Sequence, residues 1–69
     1  MHYIDVKITV EFTNGTTRQF VDSRFPDIKD AANFFDGRLN DYNCIRIVDK
    51  GIILIPNKEI HDIIIEEFK

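Results

Sequence analysis

Residues 4–16 read Ile4-Asp5-Val6-Lys7-Ile8-Thr9-Val10-Glu11-Phe12-Thr13-Asn14-Gly15-Thr16. Ile4, Val6, Ile8, Val10 and Phe12 take alternate positions, with polar residues between them. A period of two over nine residues describes a strand with one buried face. Asn14-Gly15 then gives a hairpin signal, because both dipeptide positions tolerate the positive φ that tight hairpin turns demand. The returning strand is expected over 16–22. A two-residue loop sets Glu11 opposite Arg18 and Lys7 opposite Asp22, puts Val21 on the core face with Ile8, and leaves Phe20 outside beside Thr9. A three-residue loop with a bulge shifts the register by one and turns Phe20 inward. The charge-paired register is the preferred expectation, since opposite charges across a strand pair stabilise it by a few tenths of a kcal/mol each.

Downstream of the hairpin, Pro26 disfavours helical geometry at Phe25, and Asp27 suits a helix N-cap, with Asp30 three residues later. Ile28, Ala31, Ala32, Phe35 and Leu39 make one helical stripe, with Phe34 at its margin. The helix is expected over 27–38, with Gly37 in or at its last turn. Strands follow over 44–48 and 52–56 around the turn Asp49-Lys50-Gly51. With Gly51 left-handed, Ile45, Ile47, Ile53 and Ile55 share a face. Residues 52–55 are apolar on both faces, which suggests a central strand. The last segment, 60–67, fits either a helix capped by Asn57 or a strand. The β-branched run Ile63-Ile64-Ile65 favours the strand. The expected class is therefore α+β, one domain over residues 1–69. It comprises an N-terminal β-hairpin, one amphipathic helix and C-terminal antiparallel strands, in a small four- to five-stranded sheet or open barrel.

Composition limits what such a domain does. Sixty-nine residues bury a modest fraction of their surface, so the core must be rich in large side chains; twelve isoleucines and six phenylalanines meet that need. The net charge of −3, with the basic residues scattered, argues against a phosphate backbone as partner. The longest apolar runs fall far below a membrane span of roughly 20 residues. A single cysteine and an opening without a signal-peptide core point to a reducing, cytoplasmic setting.

The order of elements, carried by Val10-Glu11-Phe12-Thr13-Asn14-Gly15-Thr16 and by Gly51-Ile52-Ile53-Leu54-Ile55-Pro56-Asn57-Lys58-Glu59-Ile60, resembles short uncharacterised proteins of Gram-positive bacteria and their prophages. That resemblance implies no activity. A fainter likeness is to Sm-like domains, where a bent strand, a very short turn and a closing strand follow one another as in residues 52–65. Here Asn57-Lys58 stand where an Arg-Gly pair belongs, and a helix interrupts the middle, so RNA binding is not carried across.

No residue set marks a catalytic, cofactor or metal site. His61, Asp62, Glu66 and Glu67 form the densest ionisable cluster, but their spacing suits a solvated face better than a ligand set. His2 and His61 could meet if the terminal strands pair, giving a surface metal or pH site, but a solvated surface is the preferred expectation. Cys44, at the start of a strand, reads as a small core hydrophobe. Asp27 and Asp30 fit capping better than acid–base work. Gly15, Gly37 and Gly51 are isolated, without phosphate-loop spacing. Phe20, Tyr42 and Arg46 could stack single-stranded nucleic acid on a sheet face, but no basic groove accompanies them.

Phe20, Phe25, Phe34 and Phe35 look too many for so small a core. Ile52 and Leu54 lie opposite the inward face of their strand. The expected function is a non-enzymatic protein-interaction module of the accessory or phage type. It would contact a protein partner or a second copy of itself through Phe20, Phe34 or Leu54. The alternative is a small nucleic-acid-associated, Sm-like protein. Barrel-like curling that buries both sheet faces is the competing use of the same apolar residues.

Overall fold

A computed structural model describes residues 2–69. Five strands and one helix follow in the order β1 (Ile4–Phe12), β2 (Thr17–Phe25), α1 (Ile28–Asp41), β3 (Cys44–Val48), β4 (Ile52–Pro56) and β5 (Ile60–Glu67), with a 3₁₀ turn at Asn57–Glu59 before β5. The class is α+β, with the N-terminal hairpin and the closing strand in place. The strands divide into an antiparallel sheet ordered β2-β1-β5 and a two-stranded sheet β3-β4, and no barrel closes. β4 is therefore an edge strand, not the central one that its two apolar faces suggested.

The hairpin takes the bulged register. Ile8 faces Phe20 and Val10 faces Arg18, while Lys7 meets Val21 and Glu11 meets Thr17. Phe12 N–H donates to Thr16 O, and Gly15 N–H to Phe12 O (2.8 and 3.0 Å). Gly15 alone in this loop takes positive φ (88°), so the turn is a three-residue loop with a glycine bulge. Asn14 Oδ1 secures it by accepting from Thr16 N–H and Oγ1–H. The expectation that Phe20 points outward is thereby corrected: it is 3% exposed and lies in the core. Magnitudes explain the choice. Burying a phenylalanine is worth roughly 1.5–3 kcal/mol, whereas two exposed cross-strand ion pairs yield a few tenths each.

A second irregularity, between Ile4 and Val6, inserts an extra residue into β2. It brings Phe25 to the core side as well. The core gathers Val6, Ile8 and Val10 of β1, Phe20 and Phe25 of β2, Ala31 and Phe35 of α1, and Ile45, Ile47 and Ile55 of the second sheet.

Asp27 caps α1 as its sequence position suggests, accepting from Asp30 N–H at 2.7 Å. The helix runs through Gly37 to Asp41, beyond the expected end. Its buried face is rotated from the expected stripe. Ala31 and Phe35 are buried and Phe34 packs against the core, while Ala32 and Leu39 are exposed. The shift gathers Phe25, Phe34 and Phe35 into one aromatic cluster, with ring centroids 5.2–5.7 Å apart.

No backbone ladder joins the two sheets, and carboxylates stand in for one. Asp22 is fully buried. It accepts from Arg24 Nε and Nη2 and, across the gap, from Val48 N–H (3.0 Å). Arg24 Nη2 reaches Arg46 O, and Asp49 Oδ2 accepts from Val21 N–H. A buried carboxylate is tolerated only when paired and hydrogen-bonded in this way. At the far end of β4, Asn57 Nδ2 donates to the carbonyls of Arg38, Leu39 and Tyr42. It thereby shares its two N–H groups among carbonyls at the C-terminus of α1, where Arg38 O also accepts from Tyr42 N–H.

Candidate functional site

The turn Asp49-Lys50-Gly51 sets which way β4 faces. Lys50 is the residue in the left-handed region (φ 58°), followed by Gly51 at φ 151°; the expectation had assigned that conformation to Gly51. Val48 then faces Ile52, Arg46 faces Leu54, and Cys44 faces Pro56. Ile45, Ile47 and Ile55 are buried, with Ile53 packed beside them, so the expected inward face is observed.

The hydrogen-bonding side of each residue follows from two bonds in the same register. Asn57 N–H donates to Asn43 O and Asp49 N–H to Gly51 O, both at 2.9 Å. Antiparallel pairs alternate between bonded and non-bonded. The bonded pairs of this hairpin are therefore Ile45/Ile55 and Ile47/Ile53. Arg46, Val48, Ile52 and Leu54 turn their backbone N–H and C=O away from the partner strand. On β3 these groups meet Asp22 and Arg24 of β2. On β4, no described strand lies alongside. The backbone groups of Ile52 and Leu54 are thus open, and the side chains of the same two residues are 65% and 61% exposed.

The exposed apolar surface continues beyond β4. Pro56 follows Leu54 on the outer face. With Leu39, Tyr42 and Lys58 it lines a depression of about 540 Å³ below the C-terminus of α1. Tyr42 is 56% exposed, and Arg38 stacks its guanidinium on the ring at 4.1 Å. Arg46, opposite Leu54, and Lys50 in the turn are both exposed. The surface is therefore an apolar strip bordered by cations.

The residues expected at a partner surface do not come together. Phe20 is in the core. Phe34 is half-buried against Phe25 and Phe35, with the Arg24 guanidinium 5.2 Å from its ring. Only Leu54 stands free. Of the set weighed for nucleic-acid stacking, Tyr42 and Arg46 are exposed and Phe20 is not. Cys44 is a half-buried free thiol. His61, Asp62, Glu66 and Glu67 lie exposed on β5. Among the described residues, no three histidine, cysteine or carboxylate side chains group closely enough to hold a metal ion, and no helix is long and apolar enough to cross a membrane.

The open edge of β4 is what the sequence reading missed; it places Ile52 with Leu54 on the outer face and weighs Tyr42 for stacking, without joining them to that edge. The signal was present in the apolar residues on both faces of 52–55, which fit a central strand and an unpartnered edge equally well. Compared with known proteins, the chain matches no family model, no curated protein and no solved structure.

Proposed function

We propose that this domain acts by protein contact, without catalysis, through the outer side of the β3–β4 hairpin. The observation that carries this reading is the coincidence on β4. Ile52 and Leu54 expose both their side chains and, by the ladder alternation, their backbone groups. Single exposed apolar residues are ordinary, but contiguous ones on an open strand edge mark contact sites. Arg46 and Tyr42 beside them are of the residue types enriched at such surfaces.

A photo-crosslinking residue placed at Leu54 in the source cells tests this reading. A discrete protein adduct is expected at Leu54, lost when Ile52→Asp is added and absent when the crosslinker sits at Gln19. The captured protein, once purified, should rebind the domain. No adduct at Leu54, or equal adducts at both positions, would contradict it.

A further inference from the structure

We infer that β4 receives an extended peptide as an added strand, and that the peptide is apolar at alternate positions and acidic in its remaining charges. This rests on the contact function proposed above and specifies its mode and its ligand.

The mode follows from the edges. On β3 the outward Val48 N–H and Arg46 C=O are taken by Asp22 and Arg24, so β2 lies against that edge, and Val21 on the outer edge of β2 donates to Asp49. The rest of that β2 edge carries Thr17 and Gln19, which are polar. β5 pairs with β1 through its even-numbered residues, as Phe68 N–H to Asp5 O shows. Its open edge therefore belongs to Ile63, Ile65 and Glu67, and Asp62 Oδ1 already occupies the Ile63 N–H (2.9 Å). Among the described strand residues, Ile52 and Leu54 alone combine open backbone groups with exposed apolar side chains. An incoming strand would exchange backbone hydrogen bonds with both residues and lay alternate side chains beside theirs. Pro56, without an N–H, ends the ladder.

The chemistry follows from charge. The hairpin Cys44–Pro56 carries Arg46 and Lys50 against Asp49, a balance of +1, in a chain of −3 overall. β5 carries Asp62, Glu66 and Glu67 and no lysine or arginine. Arg46, beyond Leu54 on the outer face, and Lys50, in the turn before Ile52, favour acidic side chains on the incoming strand over basic ones.

Charge argues for a peptide rather than a second copy. The β4 edge of a second copy would bring its own Arg46 and Lys50 against the same cations, whereas an acidic peptide would not. Strand addition also draws much of its affinity from backbone bonds.

Selection of a random-peptide phage library on the purified full chain, followed by amide exchange of the ¹⁵N-labelled protein with the best peptide, tests the inference. Enriched peptides should alternate apolar residues and carry aspartate or glutamate. Binding should slow exchange at Ile52 and Leu54 N–H by at least about tenfold, and N-methylating one facing peptide amide should weaken binding by about tenfold. Peptides that shift the Ile52 and Leu54 methyl signals without slowing those amides would overturn strand addition while leaving the contact function standing. Basic enriched sequences, peptides seated elsewhere, or no enrichment would overturn the inference. The crosslink at Leu54 then judges the contact function separately. Sedimentation as a dimer that Leu54→Lys dissolves would replace the peptide with a second copy.

Discussion

β4 and β5 are both edge strands with an unpaired side, and they manage it in opposite ways. On β5 the residues whose backbone groups are open include Ile63 and Ile65, which send their side chains inward against the core. Asp62 covers one N–H, and Glu66 and Glu67 place negative charge along the strand. A neighbouring strand would find the Ile63 donor taken, would meet no outward apolar side chain on the open residues and would meet acid, which is how natural sheets discourage edge-to-edge pairing. On β4 the open residues send their side chains outward, and no charged residue lies within Ile52–Pro56. Parity makes the difference: whichever residues face the neighbour through their backbone also place their side chains on one of the two faces. At β5 that face is the core, and at β4 it is solvent.

The largest expected effect tests whether the frame holding both edges is right. Phe20→Ala should destabilise the fold by about 3–5 kcal/mol, because it empties core volume. Leu54→Ala should stay within about 0.5 kcal/mol, as exposed substitutions do. Urea denaturation of the two variants separates them. Similar small losses from both would mean that Phe20 lies outside and that the bulged register is wrong.

Next comes the joint between the sheets. Asp22→Ala leaves Val48 N–H without its acceptor and Arg24 without its anion, at a cost of about 3 kcal/mol. Arg24 keeps some access to water, which holds the loss near the low end for a broken buried pair. The same denaturation experiment reads it. A loss below about 1 kcal/mol would show that Asp22 contributes little to holding the β3–β4 hairpin.

Gly51→Ala probes the turn that orients β4. A methyl group there meets nothing within 4 Å, so the whole cost is conformational, from φ at 151°. A destabilisation of about 1–3 kcal/mol is expected, with weakened protection of Ile53 and Ile55 in amide exchange. An unchanged stability would show that the turn can adopt another geometry.

These sites also show what could be read from sequence. The alternation in β1, the N-cap at Asp27 and the inward face of Ile45, Ile47 and Ile55 all depend on local pattern, and the structure keeps them. The register of β2 was decided by a contest between charge pairing and aromatic burial, and the sequence shows both contestants without their weights. Asp22 read as a surface ion-pair partner because nothing local shows that β3 will supply it a buried N–H from residue 48. The helical stripe rotated because Phe25, from β2, draws Phe34 inward. The place of β4 was illegible for the same kind of reason. Strand neighbours are set by long-range assembly, and a segment apolar on both faces reads alike whether a second strand covers it or nothing does.

The smallest change expected in stability comes with the clearest view of the edges. Leu54→Lys should leave the unfolding midpoint nearly unchanged, within about 0.5 kcal/mol. Asp62→Ser would relieve the like-charge pair with Glu11 opposite but unguard β5, and it should raise light scattering at high protein concentration. A scattering rise from Leu54→Lys rather than from Asp62→Ser would invert the assignment of guarded and open edges.

Amide hydrogen exchange in the free protein, read residue by residue by NMR, tests the central claim most directly. Ile53 and Ile55, bonded to β3, should exchange slowly, while Ile52 and Leu54 should exchange near the rate of unprotected amides. Protection of Ile52 and Leu54 equal to that of their neighbours would mean that the edge of β4 is already covered, and would contradict the account.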